Sequence, residues 1–248
     1  MSIIDKFLSV VKPADICNTA GHTSIFNLPT YIAYWAIRKA QHSLFTNAIQ
    51  YYNNPEHYLV KLDPANDTHT TVFFDAQHTF SVEPPKAKFL NVEEYINDDI
   101  SVYRYYRDLS GSDVNVMRNT AVTMIGFDYD VGQLIDISIN QILGYPGHNE
   151  VTIFDNGKNN HDCSAGAGII YQAMRKANHP DWPRLFSYLS PNYWSPQFIK
   201  KFKTEYKSDW YVEFVYPCMF ACSETHFASE FRLVWKSNKG KILYCETQ

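Results

Sequence analysis

Long apolar runs are missing from this sequence. No stretch approaches the roughly 20 apolar residues needed to span a bilayer. The amino-terminal segment Met1 to Pro13 is interrupted by Asp5, Lys6 and Ser9, so it reads as a short amphipathic helix and not as an export signal. The expectation is a cytoplasmic chain with no transmembrane segment. Charge is also sparse, at 19% of 248 residues with a formal net of −4. The densest basic cluster is Lys200-Lys201-Phe202-Lys203, whereas nucleic-acid binders present a stronger positive face, so no nucleic-acid partner is expected. Cysteines number five, Cys17, Cys163, Cys218, Cys222 and Cys245, an odd count at irregular spacing that argues against a disulfide framework. No repeat, low-complexity segment or linker divides the chain, so residues 1–248 read as one domain.

Aromatic residues are plentiful, with 18 Tyr and 16 Phe. Such rings build a thick core and can line a cleft for an apolar or sugar-like ligand. The apolar pattern predicts helices over 1–12, 28–52, 112–124, 130–143 and 163–178. It predicts strands over 57–62, 70–76 and 100–105, with further strands between 210 and 244. Asn91 is expected to cap a short helix over 92–96, and 15–27 reads as a loop.

The helix over 163–178 holds the chemistry. Cys163 opens it, and Ser164, Ala165, Gly166, Ala167 and Gly168 follow. A helix N-terminus offers unpaired N–H groups and a positive dipole end, which favour a thiolate. Two early glycines cost about 1 kcal/mol each relative to alanine, which points to close packing or access. An ordinary buried thiol is the competing reading. A nucleophilic thiol also needs a base and a group that orients it. His57 opens one predicted strand and Asp75 ends the next; if these two strands pair as a hairpin, the side chains meet on one face.

The order of these elements resembles the circularly permuted papain-fold hydrolases of the NlpC/P60 superfamily, the YiiX/YaeF-like group. The resemblance runs through Pro13-Ala14-Asp15-Ile16, His57-Tyr58-Leu59-Val60, Val72-Phe73-Phe74-Asp75-Ala76, Val102-Tyr103-Arg104, Tyr129-Asp130, Cys163-Ser164 and Ser195-Pro196. It implies an α+β fold with an antiparallel sheet packed against helices, a papain-like core over about 13–203, and a strand-rich extension over 204–248. It also implies a cysteine hydrolase without a cofactor, cleaving an amide or ester in a peptide, a peptidoglycan stem peptide or a lipid amide. In that scheme Cys163 is the nucleophile, His57 the base and Asp75 the orienting acid.

The departures are specific. The family pattern Cys-Ser-Glu is Cys163-Ser164-Ala165 here, while Cys222-Ser223-Glu224 lies too near the end of the chain to be followed by the expected helix. They motivate a second reading, a degenerate binding or inhibitory protein on the same fold. Cys218, Cys222 and His226 fall at four-residue spacing but offer three ligands where a structural zinc site takes four, so no metal is expected. Tyr103 and Arg104 belong to a Tyr/Arg patch suited to a carboxylate or sugar; a solvated strand end is the alternative.

Overall fold

The computed structural model describes residues 2–20, 35, 37, 39, 69–75, 78–143, 160–182, 220 and 231–246. The fold is α+β. Strands β1 (Ile16–Thr19), β2 (His69–Phe73), β3 (His78–Ser81), β4 (Lys88–Asn91), β5 (Ile100–Tyr105), β8 (Phe231–Asn238) and β9 (Lys241–Cys245) form a seven-stranded sheet in the order β4-β3-β2-β1-β5-β8-β9. Every neighbouring pair in it is antiparallel. A two-residue pair, β6 (Asp128–Tyr129) and β7 (Asn160–His161), runs parallel beside it. Among the described residues the α-helices with both ends described are α1 (Ile3–Val10), α2 (Gly111–Met124), α3 (Val131–Ile142) and α4 (Cys163–Asn178). No helix among the described residues is long and apolar enough to cross a membrane.

Alternation along the strands divides the core in two. Ile16, Val72, Phe80 and Tyr103 face α2 and α4 and join Met117, Ala121, Ile170 and Tyr171. Cys17, Phe73, Val102 and Trp235 face α1 and join Phe7 and Val10. Phe7 meets Trp235 edge-on with ring centres 5.4 Å apart. Each fully buried ring or branched chain contributes about 1.5–3 kcal/mol relative to exposure.

Local signals set the helix ends. Ser2 with Asp5 and Ser110 with Asp113 form reciprocal capping boxes at α1 and α2. Asn91 caps the short 3₁₀ turn Val92–Glu94 as expected. Asp162 caps α4, and Arg175 and Lys176 occupy its last turn.

The sheet departs from the sequence reading in two places. Residues 16–19, expected in a loop, are β1 at the centre of the sheet, where Asn18 is buried and accepts the Thr70 hydroxyl at 2.9 Å. That side-chain partner is what lets a polar segment occupy a core strand. The strands at 231–245 are part of the main sheet, with β8 lying against β5.

Candidate thiol site

The site forms where β3 leaves β2. Along β2, the Phe73 N–H bonds Asp15 O on the β1 side and the Phe74 N–H bonds His78 O on the β3 side. By alternation the Thr70 N–H also points toward β3. The β2–β3 register ends at Thr71↔Ser81, so no strand carbonyl stands opposite Thr70. The Thr70 N–H lies near enough to the Cys163 sulphur to favour its thiolate. Helix α4 reaches it because Gly166 lies against β3: a Cβ there would sit 2.5 Å from Val82 Cγ2.

Cys163 is 5% exposed. Burial, then the Asp162 charge, push its thiol up to about 12, while donors at Thr70 and Ser164 pull the other way. The resting group is a thiol, and ionising it requires a base. Asp162 is fixed beside it by its capping role, accepting the Ala165 N–H at 2.6 Å and the Ser164 hydroxyl at 3.1 Å.

The residue preceding Thr70 is a histidine that the sequence reading passed over. The His69 ring lies on the Thr71 and Ser81 side of the strand, with Nε2 2.8 Å from Ser81 Oγ and 3.8 Å from Glu83 Oε2. It stacks on Tyr95 at 6.1 Å. Glu83 accepts the Tyr95 hydroxyl at 3.1 Å and pairs with Lys88 at 2.7 Å. Burial raises the Glu83 carboxyl, but Lys88 and His69 outweigh it and hold the group below its usual range. The available signal was a histidine immediately ahead of the run Thr70-Thr71-Val72; a strand start set one residue late hides it.

His57, expected as the base, lies outside the described residues, as do Cys218, Cys222 and His226. The expected hairpin between 57–62 and 70–76 has no free edge at Thr71–Phe73, because β1 and β3 flank β2 on either side. Asp75 is five residues on from Thr70, roughly 16 Å along an extended chain. Its carboxylate bonds His78 Nδ1 at 2.8 Å and lies 3.9 Å from Arg118. Tyr103 is fully buried in the core facing α2 and α4. Arg104 is a clamp: it bonds Asp15 at 2.8 Å, Glu246 at 3.2 Å and the Val10 carbonyl at 2.7 Å. Among the described residues no group of three or more His, Cys, Asp or Glu side chains is arranged to hold a metal ion.

No protein-family model matches the chain, and no curated protein sequence matches it. Among solved structures it is similar to the metalloprotein YiiX from Escherichia coli O157:H7, at 15% identity over 92% of this chain and 99% of that one, with a TM-score of 0.48.

Proposed function

We propose that the chain is a thiol hydrolase acting on an amide or ester carbonyl, with Cys163 as nucleophile and His69 as base. The observation that carries this reading is the placement of Cys163 as the first residue of α4, directly after the Asp162 cap and with the Thr70 N–H near its sulphur. The sequence resemblance supports the same nucleophile.

In the proposed reaction the imidazole turns from Ser81 toward the sulphur and takes the thiol proton. The thiolate attacks the carbonyl carbon. The C–N or C–O bond breaks and the leaving group takes the proton from the imidazolium. Water, deprotonated by the imidazole, then attacks the thioester and releases the acid and the thiol. In the first turn of α4, Ala165 N–H is taken by the Asp162 carboxylate and Gly166 N–H by the Asp162 carbonyl, while Ser164 N–H points to the sulphur. The Cys163 N–H is therefore the helix donor assigned to the developing oxyanion.

Turnover of a panel of peptide, ester and lipid-amide substrates tests the reading. Cys163→Ala abolishes turnover and His69→Gln lowers it by about a hundredfold or more, the usual contribution of a general base. Full activity in either variant sinks the corresponding role; loss in His57→Gln with none in His69→Gln returns the base to His57.

A second reading, a non-catalytic binding protein, is favoured by the elevated thiol and by the Ser81 contact of the imidazole. It is selected if the substrate panel gives no turnover and Cys163→Ala leaves ligand binding intact.

A further inference from the structure

The Tyr/Arg patch divides after Tyr105. Tyr103 and Arg104 are used inside the fold, whereas Tyr106 is exposed and Arg107 is half-buried just beyond the end of β5. The Arg107 Cζ lies 4.7 Å from the ring centres of both Tyr106 and Trp182. Its Nε donates to the Tyr106 hydroxyl. Among the described residues, its Nη1 and Nη2 have no hydrogen bond or ion pair. By contrast Arg104, Arg118, Arg175 and Arg232 each give an Nη to a carbonyl or a carboxylate. Asp108, next in the chain and exposed, does not pair with Arg107.

Trp182 is built as a fixed wall. The His179 ring lies flat on it, with centres 3.6 Å and planes 6° apart. Asp113 holds that ring, its Oδ1 2.9 Å from His179 Nε2. Arg175 donates to the Trp182 carbonyl at 3.0 Å, and the Trp182 N–H donates to the His179 carbonyl at 3.0 Å. Guanidinium and wall are thus ordered before any ligand arrives, so little side-chain freedom is lost on binding.

We propose that Arg107, held between Tyr106 and Trp182, anchors a second binding site that takes a carboxylate carried on a flat apolar body, an aromatic acid being the simplest case. The two outer nitrogens form a planar fork that a carboxylate matches with paired hydrogen bonds. Its single charge balances the one guanidinium, while Asp108 and Asp113 oppose a dianion such as phosphate. The flanking rings suit a flat apolar ligand body. The site stands apart from the thiol. Cys163 is the first residue of α4 and His179 caps its far end, and 16 residues of helix rise roughly 24 Å. The proposal therefore does not depend on the role of Cys163.

The test is a titration of benzoate into the ¹⁵N-labelled full chain, following the indole N–H of Trp182 and the Nε–H of Arg107. Trp182→Phe identifies the first signal and Arg107→Lys the second. Both signals are expected to shift saturably, with a Kd of about a millimolar. Benzamide, which has the same shape without the charge, should move neither. Arg107→Lys keeps the charge but loses the fork, and weakens benzoate by about tenfold or more, the loss of one charged hydrogen bond. Arg107→Gln serves in its place if that variant fails to fold. Cys163→Ala should bind benzoate as the wild type does. The proposal is overturned by shifts that do not saturate, by benzamide binding as well as benzoate, or by wild-type affinity in the folded Arg107 variant. Inorganic phosphate binding more tightly than benzoate also overturns it. So does loss of the shifts in Cys163→Ala, which would place the acid at the thiol. Absence of hydrolysis leaves all of these readouts unchanged, so the two readings fail separately.

Discussion

The Cys163 sulphur lies near the backbone N–H of Thr70, one residue beyond the last β2–β3 pair at Thr71 and Ser81. This N–H stands beside the first residue of α4. It favours the thiolate, yet burial and Asp162 outweigh it and leave the group protonated at neutral pH. Such a thiol differs from one held as an ion pair with imidazolium, and the difference is measurable.

The alkylation rate of Cys163 should rise about tenfold per pH unit from pH 7 to 10, following the growing thiolate fraction. Iodoacetamide labelling read by peptide mass spectrometry checks it. A plateau below about pH 8 would mean a resting thiolate.

Gly166→Ala drives a methyl against Val82 and costs about 1–3 kcal/mol of stability. Val82→Ala in the same chain returns much of that, because the two sites share one contact. Urea denaturation of the two single variants and the double variant measures the coupling; strictly additive losses would show that Gly166 is not what lets α4 approach β3.

Arg104→Ala leaves Asp15 buried without its partner, and burial already raises the Asp15 carboxyl despite the guanidinium. The loss expected is about 3–5 kcal/mol. Arg104 fixes α1, β1 and the end of the chain, so the effect appears in the denaturation midpoint. At temperatures where the variant stays folded, KM for a hydrolysed substrate should not change; a raised KM at full folding would restore Arg104 to the substrate.

Asp113 is buried, which raises its carboxyl, but bonds from Asn178, Ser110 and His179 prevail and hold it low. A group with a depressed folded value stabilises above the unfolded value of about 3.9, and the contribution disappears as pH falls through the folded one. Asp113→Asn should cost about 1–2 kcal/mol at neutral pH. Thermal melts of wild type and variant should converge in strong acid; a gap independent of pH would assign the loss to packing.

Some features were legible in the sequence because their causes lie within one turn of chain. Helix α4 begins and ends at the expected residues, Cys163 and Asn178, since the Asp162 cap, the basic last turn and His179-Pro180 are all local. Strand β5 was legible for a similar reason: Ile100 to Tyr105 is a short β-branched and aromatic run with little else it can form.

The surroundings of Cys163 were not legible, because they depend on which strands lie side by side. A sequence reading looks first to neighbours in the chain and so weighed a pairing of 57–62 with 70–76. In the fold β1 sits between β2 and β5, and its partner Thr70 is 52 residues from Asn18. The same holds for Arg104, exposed in the sequence reading but joined to Asp15 and Glu246 across 89 and 142 residues. The sequence by itself determined that a cysteine opens a small-residue helix. The tertiary structure decided that this cysteine is buried and held as a thiol at the edge of the β2–β3 pairing, because long-range strand order sets those neighbours and no local propensity encodes it.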